Sequence, residues 1–316
     1  MVSMHRFAFL VLFFLIFQVH AQNQFSKQFS LNTDNDLYTS VNRDRYYTSG
    51  IFLSYKYAAK NLKNNEVNRI YEWHIGHEMF TPQKAIVTSA NEHDRPFAAY
   101  LYGGFGITRA YDDHILRTNF ELGMIGPSAR GREMQDFIHD IYGFRKAVGW
   151  QFQISDAIGV NMDALYVKEF YTPTKKRFDI SWITDASLGT VYTNVAAGLY
   201  SRIGFSPLQK ISNSIAFNTH LNVKEQKRKV ESFFFVNPML RYQLYDATVE
   251  GSLFNQSSSI TYDVKPIVFH LQMGVLFTAH RFNLGYVYHF TTSTSEGLVH
   301  DGGNIYGTIR LGYLFD

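Results

Sequence analysis

Most of this chain alternates. Phe25, Phe29 and Leu31 are interleaved with Ser26, Gln28, Ser30 and Asn32, and Ile51, Leu53, Tyr55 and Tyr57 with Ser54 and Lys56. Tyr71, Trp73 and Ile75 alternate with Glu72 and His74, and the chain ends on Ile305, Gly307, Ile309, Leu311, Tyr313 and Phe315 set against Thr308 and Arg310. A period of two is the mark of strands with one apolar face. Further strands are expected around 97–109, 115–124, 149–154, 161–170, 178–186, 192–203, 231–245, 247–256, 266–278 and 282–290. The polar runs 61–68 and 224–229 read as turns or loops.

The period changes in one place, between Gly123 and Gly143. Met134, Phe137, Ile138 and Ile141 fall at i, i+3, i+4 and i+7, which predicts a short amphipathic helix with that stripe buried. Gly143 is placed to end it. Gln135 and His139, four apart, project from one side of it.

Residues 1–21 place His5 and Arg6 before an apolar run and close on Ala21, the pattern of a cleavable export signal. The run is shorter than the roughly 20 residues a membrane-crossing helix needs. The mature domain is then expected over 22–316, with no linker or composition shift to divide it.

Composition narrows the fold. The chain has 28 Phe, 21 Tyr and 22 Gly, no Cys, and a mean hydropathy of -0.18. A helical membrane protein is far more apolar. A transmembrane antiparallel β-barrel keeps the average low by alternating lipid-facing and lumen-facing residues while aromatics collect at the two interfaces. The mature length supports on the order of 12 strands at about 10 residues each plus turns. A soluble β-sandwich is the rival that alternation alone leaves standing. The absence of Cys excludes thiol chemistry and Cys-based zinc sites. A formal charge of +3 is too small to point to nucleic acid.

Three polar groupings could carry chemistry besides the helix. Asp34, Asn35 and Asp36 end the first strand, and Arg43 to Gly50 open the second. Their closely spaced oxygens suit a hard cation such as Ca²⁺, although Asp and Asn also favour strand ends for local hydrogen bonding. Strict pleating sends Asn35 and Asp36 to opposite faces, so one site can use both only at a strand end or bulge. Asp94 and Arg95 read as a loop ion pair, and Trp150 as an interface tryptophan. No G-x-S-x-G is present, so a serine-hydrolase elbow has no support. His139, either an ordinary helix-surface histidine or a base, can take a proton from water where a cation or donors stabilise the oxyanion.

Asn35-Asp-Leu-Tyr, Asp44-Arg-Tyr-Tyr-Thr-Ser-Gly, Phe80-Thr-Pro, Asp94-Arg-Pro-Phe-Ala-Ala-Tyr-Leu-Tyr, the run from Ile125 to Gly143, and Gly149-Trp-Gln-Phe-Gln occur in one order. Together they resemble the outer-membrane lipid A 3'-O-deacylase (LpxR) family. The resemblance implies a 12-stranded barrel in the Gram-negative outer membrane, with its site between the wall and a helix from an extracellular loop. It implies Ca²⁺-dependent removal of the 3'-linked acyloxyacyl group of lipid A, the lipid part of lipopolysaccharide; the chain itself is expected to act as a monomer. In that reading Asp36 helps hold Ca²⁺, His139 activates water, and Asn35 and Thr48 orient groups around it. The basic residue some members place near the lipid phosphate has Lys84 as its nearest counterpart. The acid that often follows Gly-Trp has Asp156. A non-catalytic barrel serving as a pore or surface-binding protein, and an outer-membrane phospholipase using the same residues, are the alternatives.

Overall fold

The computed structural model describes residues 25–39, 45–63, 65–84, 86–173, 176–222 and 230–316. The expected export signal, residues 1–21, lies outside them, as does the polar run 224–229. Twelve antiparallel strands close into a barrel in sequence order, β1 (Lys27–Asn35) pairing with both β2 (Tyr46–Ala58) and β12 (Asn304–Phe315). Between them run β3 (Asn68–Thr81), β4 (Ala98–Ala110), β5 (His114–Ile125), β6 (Ala157–Tyr171), β7 (Phe178–Gly189), β8 (Tyr192–Gly204), β9 (Ser232–Asp246), β10 (Ile267–Ala279) and β11 (Phe282–Thr291). Closure leaves no strand edge unpaired, which is what a bilayer demands of backbone amides. No helix among the described residues is long and apolar enough to cross a membrane.

The alternation sorts as the pleat requires. Phe29, Leu53, Trp73, Ile75, Phe120, Leu122 and Ile158 stand exposed on the outer face, while Gln28, Ser30, Ser54 and Lys56 turn into the lumen, where Lys56 pairs with Glu72 at 2.9 Å. The connections fall into two sets. Those at the end carrying β1's start and β12's finish include three-residue and two-residue turns after β4 and β10. The opposite end carries long loops after β3, β5, β9 and β11, and the first end has one of its own between Gly204 and Ser232.

Two expected strands are absent, and each has a local reason. Residues 149–154 form a 3-10 turn at Trp150–Phe152, entered through Gly149 at φ 134, a conformation closed to most side chains. Trp150 and Ile154 are apolar at alternate positions because both are buried against the wall and its loops, not because they pair. Residues 247–256 begin with the four-residue helical turn Ala247–Glu250, capped by Asp246, whose Oδ1 accepts from Thr248 N at 2.8 Å.

The lumen is filled near the end that carries the chain's termini. Residues 205–222 leave β8 and cross to the far wall, burying Leu208, Ile211, Ile215 and Phe217 against lumen-facing Tyr200, Phe233, Phe235 and Met239. Asn68 at the start of β3 donates to the carbonyls of Thr219 (2.8 Å) and Leu221 (2.6 Å), and Arg117 to that of Phe217 (2.8 Å). Arg202 is wholly buried there between Asp179 and Glu231, and also donates to Ser214. Burial pushes the Glu231 carboxyl up, against the pull of Arg202.

Candidate active site

The loop between β5 and β6 leaves the wall and returns along its outer face. It contains the helix α1 (Gly131–Tyr142), ended by Gly143 at φ 72 with its N–H on the His139 carbonyl, as the sequence predicts. α1 lies flush on the barrel because its first residue has no side chain. A Cβ at Gly131 would strike the Trp150 ring and the Ala99 methyl.

Met134 and Ile138 pack on the cluster of Met79, Val87, Phe97, Ala99, Ala129 and Trp150. The predicted stripe is only half buried, however. Phe137 and Ile141 are 61 % and 63 % exposed, whereas Gln135 and His139, expected on the flank, are 2 % and 4 % exposed. The helix therefore presents its polar pair to the wall.

Both polar side chains are held. Gln135 Oε1 accepts from Trp150 Nε1 at 2.7 Å, so the tryptophan expected at a membrane interface is a buried brace beneath the helix. His139 Nδ1 lies 2.6 Å from the Arg145 carbonyl oxygen. A carbonyl can only accept, so Nδ1 carries the proton and the neutral ring's lone pair is on Nε2. Phe144 N binds the His139 carbonyl at 2.9 Å, fixing the residue's backbone as well.

The strand register places the other expected residues along one row of the outer wall. Asn35 pairs with Ser49, Ser49 with Met79 and Met79 with Ala99, and by parity with Phe29, Leu53, Ile75 and Leu101 all face outward. α1 sits over the Met79–Ala99 end of that row, and Asn35 stands two strands away, roughly 10 Å at the usual strand spacing. Asn35 is the last residue of β1. Asp36 opens a 3-10 turn, so the strand end that the pleat demanded is present. Asn35 Oδ1 caps that turn on Leu37 N at 2.8 Å, and Asp36 Oδ2 accepts from Arg45 N at 3.2 Å.

Thr48 is the extra residue of a bulge, since pairing with β3 jumps from Tyr47 to Ser49. Its hydroxyl shares a 2.7 Å hydrogen bond with that of Thr81. Asn35, Asp36 and Thr48 are all buried.

Asn35, Asp36 and Thr48 offer hard oxygen donors, the type Ca²⁺ takes. Among the described residues no group of three or more His, Cys, Asp or Glu gathers to hold a metal.

His77 was missed by the sequence reading. It sits on the outer face of β3 one register step below Met79, is buried, and its Nε2 donates to the Ala129 carbonyl at 2.7 Å, tying the wall to the turn that starts α1. Its outward parity beside Ile75, a histidine where lipid-facing residues belong, was the available signal. Asp156 Oδ1 accepts from Ser128 N at 2.6 Å and steadies the same turn. Lys84 is exposed on the loop after β3. Asp94 and Arg95 make no ion pair among the described residues. Asp94 accepts from Tyr46 and Gln83, while Arg95 donates to Thr248.

The family described as "Outer membrane protein LpxR" matches residues 7–315. The chain belongs to the LpxR family. No curated protein matches it. Among solved structures, LpxR from Salmonella typhimurium aligns with a TM-score of 0.72 at 20 % identity, covering 91 % of this chain and all of that one. The β-domain of the Bordetella autotransporter BrkA gives 0.48 at 10 % identity over 93 % of this chain and 99 % of its own. The translocator domain of NalP from Neisseria meningitidis gives 0.41 at 13 %, over 98 % and 94 %. Family membership places the chain among outer membrane proteins, and the Salmonella likeness shares the 12-stranded barrel fold.

Proposed function

We propose that this protein is a carboxylic ester hydrolase of the lipid A 3'-O-deacylase type, removing the 3'-linked acyloxyacyl group of lipopolysaccharide at the outer face of the outer membrane. One observation carries the reading. A histidine is buried between a surface helix and the lipid side of a barrel wall, with Nδ1 held by a backbone carbonyl so that Nε2 carries the ring's basic lone pair.

In this reading Nε2 of His139 takes a proton from water as the oxygen attacks the ester carbonyl. The tetrahedral intermediate then expels the sugar 3'-alkoxide, which recovers the proton from the imidazolium, leaving a free fatty acid and a sugar hydroxyl. Arg145's carbonyl holds the ring in one orientation through both transfers. Asp36 would hold Ca²⁺, with Asn35 and Thr48 beside it. The ion, when bound, supplies positive charge where the ester oxygen becomes negative. Thr48, freed from strict pleating by the bulge, orients its hydroxyl with Thr81.

The chain segment across the lumen speaks against a pore. Residues 205–222 lie in the path that a solute would take. A phospholipase would use the same groups and differ only in which lipid loses its chains. The deciding experiment is mass spectrometry of lipid A from outer membranes with and without the protein, with Ca²⁺ or EDTA. Loss of one acyloxyacyl group that depends on His139 and Ca²⁺ is expected. Unchanged lipid A beside deacylated glycerophospholipid would move the assignment to the phospholipase.

A further inference from the structure

The half-exposed stripe of α1 needs its own explanation. At about 100° per residue, Gly131, Gln135 and His139 define the wall side. Met134, Phe137, Ile138 and Ile141 centre roughly 100° to one side, and Arg132, Glu133, Asp136 and Asp140 roughly 100° to the other. The helix thus has three faces, one on the wall, one apolar and one charged.

Contacts fix which way each points. The charged face meets Lys146, 3.5 Å from Asp140 and 3.9 Å from Asp136. Two residues on, Val148 is bridged to Ile86 and accepts from Val87 N at 2.8 Å, in the loop that rises beyond the end of β3. The apolar face is turned the opposite way. Met134 and Ile138 share their cluster with Leu101, one register step deeper than Ala99. At Leu101's level the wall continues outward-facing through Met124 and Ile158, both exposed. The free edge of the stripe, Phe137 and Ile141, is therefore continuous with the lipid-facing belt of the barrel.

We propose that α1 is an interfacial helix whose Phe137–Ile141 edge, with Tyr142 and Phe144 at its end, lies among the acyl chains of the surrounding leaflet, while Asp136, Asp140 and Lys146 stay in water. The occupant of this surface is lipid acyl chain. A helix with one apolar edge and one charged edge lies in the interface plane. Held this way, the leaflet presses α1 onto the wall and sets the depth of His139. The depth is a property of the helix and holds whichever lipid the site takes.

The absence of cysteine makes the test direct. Single nitroxide labels go on Phe137→Cys, Ile141→Cys, Asp140→Cys, Arg132→Cys and, as a wall reference, Ile158→Cys. The full-length protein is folded into phosphatidylcholine–phosphatidylglycerol vesicles, and collision with oxygen is compared with collision with a water-soluble nickel chelate. The oxygen-to-nickel ratio at 137 and 141 is expected to match that at 158 and to exceed that at 132 and 140 several-fold. Ratios at 137 and 141 that match 132 and 140 overturn the proposal. Should a labelled variant not fold, Ile141→Trp in vesicles of bromine-labelled lipid gives the same decision. Added quenching over the parent supports insertion, and none overturns it.

Discussion

Two groups of buried polar side chains in the barrel can be set side by side, and they mean different things. Inside the lumen, near the termini, Arg202 with Asp179 and Glu231 sits where a barrel ordinarily keeps polar groups, and it ties the crossing segment to the wall. On the outer face, His77, Asn35 and Thr48 occupy positions where neighbours in the same strands face lipid. Polar groups in hydrocarbon are costly, so they persist only with partners: His77 is tied to the turn that starts α1, Asn35 caps the turn after β1, and Thr48 shares a bond with Thr81. The first cluster is explained by stability. The second lies where a barrel ordinarily faces lipid, on the same side of the wall as the helix that carries His139, and that asymmetry points to function.

This contrast can be broken from either side. His139→Ala should lower acyl release by about 10²–10⁴-fold while leaving the unfolding midpoint in urea close to the parent's, since a general base contributes that much to rate and little to the barrel. Equal activity would remove His139 from the chemistry. Arg202→Leu should do the reverse. Leaving Asp179 and Glu231 buried without their cation costs about 3–5 kcal/mol of stability, read by denaturant titration of gel mobility, with turnover per folded molecule unchanged.

Gln135→Leu removes the acceptor of the Trp150 indole N–H and should cost about 1–3 kcal/mol in the docking of α1. Faster protease cleavage of the 131–142 segment with an intact barrel would report it. The smallest change is Thr48→Val, which breaks one shared hydroxyl bond at the bulge and should cost about 0.5–1.5 kcal/mol of stability. A fall in activity well beyond that figure would mark Thr48 as part of the reaction.

Much of this was legible in the residues. The closed barrel follows from alternation with low mean hydropathy, α1 and its stop from one change of period and Gly143, and the strand-end position of Asn35 from the limits of pleating. What was not legible shares one cause. Periodicity reports that a side chain avoids water, but not what it meets instead. Phe137 and Ile141 read as buried like Met134 and Ile138, and Trp150 and Ile154 as a strand, because wall, lipid and loop are all apolar partners. His77 gave the converse signal, a polar residue at lipid-facing parity. It becomes visible only once Trp73 and Ile75 are known to face outward. The crossing of 205–222 rests on contacts between residues more than a hundred positions apart, such as Asn68 with Thr219, which no local pattern encodes.

That crossing has a consequence for the envelope as a whole. A cell making this protein in quantity inserts a wide cylinder into its permeability barrier, yet the inner rim is obstructed by Leu208, Ile211, Ile215 and Phe217. Abundance should therefore carry no penalty in susceptibility to small hydrophilic toxins.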